Sequence, residues 1–134
     1  MDAALRFGDN PMPSSLSERP TVILAEGDAG LREALSYALE IEGFDVVSCA
    51  SGETLLETPL PPGRACLVLD HRLPGLSGVA TLEALRSRRS ELPAIIIAGA
   101  PDSELRARAL IADARVIEKP LLNGLLSGAI RDLI

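Results

Sequence analysis

An α/β fold, with a parallel sheet lying between two layers of helices, is what this sequence predicts, and three observations predict it. Five short apolar runs of strand length alternate with stretches whose apolar residues recur at helical spacing. The apolar runs are continuous rather than interleaved with polar residues, as in strands covered on both faces. The 134 residues are 47% hydrophobic but only 2% aromatic, which suffices for one domain whose core is packed by Val, Ile, Leu and Ala.

Residues 1–19 hold Pro11, Pro13 and several serines without sustained periodicity, and read as a flexible leader to a single domain over residues 20–134. Residues 21–25 (TVILA) form the first strand. Leu31, Ala34, Leu35, Ala38 and Leu39 then mark a helix over 29–42, with Arg32, Glu33, Ser36 and Glu40 between them and Gly43 to end it. The second strand is 44–48. A short helix at 52–57 is broken by Pro59, Pro61, Pro62 and Gly63. The third strand is 66–69, and Val79, Leu82 and Leu85 lead a third helix over 79–86. Residues 94–97, entered through Pro93, make the fourth strand, and a weaker helix covers about 103–111. Residues 115–117 are a short fifth strand. Leu121, Leu122, Leu125, Leu126, Ala129, Ile130 and Leu133 mark a last helix over 121–133.

In an open parallel sheet, ligands bind in the crevice at the C-terminal ends of the strands. The first strand delivers Glu26 there, followed by Gly27 and Asp28; the third delivers Asp70; the fifth delivers Lys119, just before Pro120. Two carboxylates and an ammonium from distant positions thus meet at one rim. Asp70 at such a tip can act as metal ligand, base or nucleophile. Lys119 is the only lysine beside twelve arginines, and a lysine is a compact point charge suited to a phosphate or carboxylate oxygen.

The run Leu67-Val68-Leu69-Asp70, the downstream Leu73-Pro74-Gly75-Leu76-Ser77-Gly78, and Ile117-Glu118-Lys119-Pro120 together resemble the receiver domain of bacterial two-component response regulators. Leu31-Arg32-Glu33-Ala34-Leu35 and Glu42-Gly43-Phe44-Asp45-Val46 are similar to family sequences as well, so the likeness runs from about Thr21 to Ile134. It implies a flavodoxin-like (CheY-like), doubly wound, five-stranded sheet of order 2-1-3-4-5 with five helices. It implies that Asp70 accepts a phosphoryl group from a histidine kinase or phosphotransfer protein, with Lys119 on a phosphoryl oxygen. It also implies Mg²⁺ held by Asp70, Glu26 and the backbone carbonyl of Arg72. The face made by the fourth helix, fifth strand and fifth helix is the family's usual partner surface, open to a second copy or to another regulator.

Three positions depart from the family pattern. Gly27 stands where a second acid, the direct metal ligand, is usual; Asp28 could replace it or could simply cap the following helix. Ala98 stands where a Ser or Thr hydroxyl is usual, and Val116 where an aromatic switch residue is common. A hydrogen bond to a charged group contributes about 1.5–3 kcal/mol. A near-complete population shift needs about 5.5 kcal/mol. Loss of the hydroxyl therefore removes a large share of any switching energy. An atypical receiver with weak Mg²⁺ binding and weak coupling of phosphorylation to shape is expected; the alternative is a phosphorylation-independent pseudo-receiver that acts as a protein–protein interaction module.

Other classes are disfavoured. The acidic Ala25-Glu26-Gly27-Asp28 would repel a flavin phosphate, no Gly-x-Gly-x-x-Gly or Walker loop is present, and Arg72 replaces the second aspartate of an aspartyl phosphatase, so no enzyme is expected. The net charge of −6 argues against nucleic-acid binding by this domain. No run approaches the roughly 20 apolar residues that span a bilayer. Cys49 and Cys66 read as buried reduced thiols, which with the lack of a signal peptide makes a cytoplasmic setting the expectation. His71 reads as a tolerated variable neighbour of Asp70, and Arg86, Arg88 and Arg89 as a solvated basic face or a kinase-docking patch.

Overall fold

The computed structural model describes residues 19–134. Five parallel strands run β1 (Thr21–Ala25), β2 (Asp45–Cys49), β3 (Ala65–Asp70), β4 (Ala94–Ala98) and β5 (Ala114–Glu118). The helices are α1 (Ala29–Ile41), α2 (Gly52–Glu57), α3 (Gly78–Ser87), α4 (Ser103–Ile111) and α5 (Leu125–Leu133). The strands lie in the order β2-β1-β3-β4-β5, and all neighbouring pairs are parallel. The expected leader lies outside the described residues except for Arg19. Its guanidinium donates to the carbonyls of Glu40 and Phe44 and pairs with Asp45 at 3.3 Å.

Side-chain alternation along the strands splits the apolar residues into two cores. Ile23, Ala25, Leu67, Leu69, Ile96 and Ala98 point to the face covered by α2, α3 and α4, where Leu55, Val79, Leu82, Leu85 and Leu105 meet them. Val22, Leu24, Val68, Ile95 and Ile97 point to the other face, against Leu39 of α1 and Leu126, Ala129 and Ile130 of α5. All residues of β3 and β4 are buried, which is why both run in apolar residues until Asp70, the last residue of β3. Cys49 and Cys66 are free and buried, and burial pushes the Cys66 thiol up to about 12.

Four helices begin at a side chain that accepts an N–H of the first turn: Asp28, Ser51, Ser77 and Asp102. Several element ends shift by one residue from the sequence expectation, and two of the differences have a clear physical cause. Phe44 is not the first residue of β2: its N–H closes α1 on the Leu39 carbonyl, after Gly43 at φ +105°, and its ring is fully buried. The fifth helix starts at Leu125, not Leu121, because Gly124 takes φ +78°, a left-handed conformation that an α-helix cannot contain. Leu121 still packs on the core, whereas Leu122 is exposed, so a loop carries two leucines at helical spacing.

The basic cluster at the end of α3 divides. Arg86 donates to the carbonyls of Ser90, Leu92, Ala112 and Asp113, and Arg88 to that of Leu56, while Arg89 is exposed. These guanidinia tie α3 to its neighbours on either side. Arg108 adds a bidentate pair to Glu83 at 2.6 and 2.9 Å, joining α4 to α3 and holding the Glu83 carboxyl below its ordinary value.

A depressed carboxylate stabilises the fold above its unfolded pKa, and that contribution is lost as pH falls through the folded pKa. Glu83→Gln should therefore lower the melting temperature slightly at pH 7, since the pair is partly exposed. The difference from wild type should shrink as the pH is lowered below 4.5, the ordinary Glu value. Thermal melts of both proteins across that range check it.

Candidate functional site

The sheet order sets β3 at its centre, and Asp70 is its last residue, at the rim and 5% exposed. β5 lies two strands away, and the chain beyond it is drawn to β4 by a hydrogen bond from the Lys119 N–H to the Ala98 carbonyl at 2.9 Å. The Lys119 ammonium reaches across the end of β4 to Asp70 Oδ1 at 2.9 Å. Its side chain stays 39% exposed while that of Asp70 is 6% exposed, so solvent reaches the cation and not the acid. The other oxygen, Oδ2, accepts the Arg72 N–H at 3.0 Å. The peptide bond from Lys119 to Pro120 is cis.

Glu26, just past β1, is the second buried acid of the rim, at 6% exposure. Its N–H bonds the Cys49 carbonyl at the end of β2, its Oε2 accepts the Asp28 N–H at 3.0 Å, and its carbonyl accepts from Arg32 at 2.8 Å. Asp28 is exposed, and its Oδ1 caps α1 by accepting the Leu31 N–H at 2.9 Å. Of its two sequence readings the structure displays the cap.

Gly27 has no side chain to offer, and the exposed ring of Pro74 borders the place where one would stand. A Cβ there would lie 3.0 Å from Pro74 Cδ. Of the magnesium ligands that the resemblance implies, Asp70, Glu26 and the Arg72 carbonyl are the ones present. Among the described residues no group of three or more His, Cys, Asp or Glu side chains is placed to hold a metal. Such a donor set fits an ion that keeps most of its water, as magnesium often does.

Ala98 ends β4, buried at 4% exposure, and brings no hydroxyl to the rim. Val116, half-buried in β5, lies opposite Ile96 and packs on the α2–α4 side of the core. His71 has its N–H bonded to the Ile97 carbonyl, and its Nδ1 is buried without a partner.

Two residues of the site were not evident from sequence. Arg32 and Glu53 each occupy the polar side of a helix, where the pattern says only that they face solvent. Arg32 braces the loop carrying Glu26, and Glu53 Oε2 accepts the Leu76 N–H at 3.0 Å in the loop that follows Asp70.

The chain matches the family model described as response regulator receiver domain over residues 22–131. It is 33% identical over 121 residues to the transcriptional regulatory protein FixJ of Azorhizobium caulinodans, covering 90% of this chain and 56% of that protein. The chain thus spans about half the length of this curated relative. Its fold is similar to that of the response regulator StyR, with a TM-score of 0.78, 33% identity, and coverage of 87% of this chain and 59% of StyR. It also matches the response regulator TrrA of Thermotoga maritima, solved in complex with Mg²⁺ and BeF, with a TM-score of 0.74 and 20% identity over 86% and 99% of the two chains.

A buried carboxylate that loses its cation is left uncompensated, which costs more than either charge contributes alone. Lys119→Met should destabilise the wild type more than it destabilises Asp70→Asn. Urea melts of the four proteins of that cycle should give a coupling on the order of 1 kcal/mol.

Proposed function

Since this chain belongs to the response regulator receiver domains of two-component systems, a family phosphorylated on aspartate, we propose that Asp70 accepts a phosphoryl group from a histidine kinase or phosphotransfer protein. One observation supports this most: the sole lysine of the chain stands 2.9 Å from a carboxylate almost closed to solvent, at the rim where such sheets bind ligands. In the proposed step an Asp70 oxygen forms a bond to phosphorus as the N–P bond of the donor's phosphohistidine breaks, the electron pair returning to the imidazole nitrogen. The protein's part is positioning and charge neutralisation. The Arg72 N–H orients Asp70 through Oδ2, and Lys119 moves from Oδ1 to an oxygen of the incoming group. The protein is a signalling partner rather than an enzyme with a substrate of its own, and its setting is the cytoplasm.

Receiver domains generally bind Mg²⁺ at the phosphorylation site. When bound, the ion neutralises charge on the transferring group. Asp70, Glu26 and the Arg72 carbonyl would hold it here, and we infer weak binding because Gly27 contributes nothing and Asp28 is engaged in capping α1. Coupling between phosphorylation and shape is weak as well, since Ala98 and Val116 lack the hydroxyl and the ring that family members use. No helix among the described residues is long and apolar enough to cross a membrane.

A second reading, an interaction module indifferent to phosphorylation, is favoured by the α4–β5–α5 face. Leu110, at 79% exposure, lies one turn beyond Arg106 on α4, and the ion pairs Arg106–Glu118 and Arg115–Asp132 link α4 to β5 and β5 to α5. That face suits a second copy or another regulator.

Incubation with acetyl phosphate or candidate kinases, followed by intact mass, should give one phosphoryl adduct that maps to Asp70 and is lost in Asp70→Asn. Normal signalling by Asp70→Asn in cells would instead select the second reading. Magnesium followed by amide NMR should leave the Asp70 neighbourhood far from saturation at cellular concentrations, and Gly27→Asp should tighten binding.

A further inference from the structure

Four of the contacts that hold residues 71–77, the link from Asp70 to α3, bear on the acceptor. The Arg72 N–H sits on Asp70 Oδ2 at 3.0 Å, and the Gly78 N–H closes on the His71 carbonyl at 3.0 Å. Pro74 lies over Gly27. The fourth hold is Glu53 Oε2, which accepts the Leu76 N–H at 3.0 Å from a different helix altogether.

That fourth hold is shaped by two glycines. Gly75 has φ +74°, and a Cβ on it would lie 2.2 Å from Glu53 Oε2 and 2.9 Å from Cδ. The carboxylate therefore rests on a bare backbone face that only glycine leaves open. Gly52, next to Glu53, is buried so closely on α3 that a Cβ would lie 1.9 Å from Thr81 Oγ1. Thr81 in turn donates to the Ser77 carbonyl at 2.9 Å, at the end of the same loop. The start of α2 is thus fixed against α3, and Glu53 projects from a fixed point onto the loop.

We propose that Glu53 is a positioning residue for the phosphoacceptor: by holding Leu76 it keeps the Arg72 amide on Asp70 and Pro74 over Gly27. The acceptor is charged, so the bond is stronger than one from a neutral group. Glu53 is bonded to Leu76 and not to Asp70, so it acts through the loop. The functional half of this inference rests on Asp70 as phosphoacceptor.

The test compares wild type, Glu53→Ala and Glu53→Gln. Amide hydrogen exchange by NMR should rise about fivefold or more at Leu76 in Glu53→Ala, as expected for loss of a bond to a charged acceptor that is partly exposed to water. The Arg72 amide should rise with it. Glu53→Gln, whose amide oxygen still accepts a hydrogen bond, should restore most of the protection at both. The rate of Asp70 phosphorylation by acetyl phosphate should follow the same order, with thermal melts of the three proteins close together. Unchanged exchange at Arg72 in Glu53→Ala, or a phosphorylation rate equal to wild type, overturns the proposal. Absence of any adduct on wild-type Asp70 would overturn the phosphoacceptor reading instead, while exchange at Arg72 would still decide whether Glu53 holds the loop.

Discussion

An aspartate can remain charged beneath a protein surface only where donors and a cation replace the water it has lost. Asp70 has both: an ammonium on one oxygen and a backbone N–H on the other. Every feature of the rim bears on that condition. The loop after β3 must turn back to present the Arg72 amide. β5 must lie two strands away for the Lys119 side chain to span the end of β4. The partial exposure of the lysine leaves one side of the pair open, which is where an incoming anion could meet the cation.

The condition is met at the end of a sheet packed from both sides. Strands β3 and β4 have no exposed residue, and two separate cores press on them from opposite faces. Arginine side chains do the joining at the edges that apolar contacts leave open. Arg86 alone gathers four carbonyls, from the loop between α3 and β4 and from the turn after α4. This suits the residue: a planar guanidinium with five donors can satisfy several carbonyls at once, which an ammonium cannot do with the same geometry. The composition of twelve arginines to one lysine thus has a structural basis at several positions.

The strands and the rim carboxylate Asp70 were legible in the sequence because burial on both faces leaves a simple mark, an apolar run ended by a carboxylate. Asp70, Lys119 and Glu26 could be placed at one rim from strand order alone. The start of α5 was not legible: Leu121 and Leu122 keep helical spacing, and only the left-handed backbone at Gly124 reveals that they precede the helix. Phe44 read as strand because its apolar character is the same whether it pairs in a ladder or closes a helix. Arg86 read as a solvated or docking face and Glu53 gave no signal, since a side chain that reaches back to a backbone group has no periodic signature. What sequence conveys is which faces are dry; which polar side chains fold back onto the protein is set by distances that appear only in three dimensions.

The scarcity of lysine has a practical side. Reagents that acylate primary amines will find, apart from the terminal α-amine, a single target on this protein, and it is the one whose ammonium rests on Asp70. A fluorophore or isotope tag introduced that way needs no engineered handle, and its installation would itself erase the positive charge at the rim.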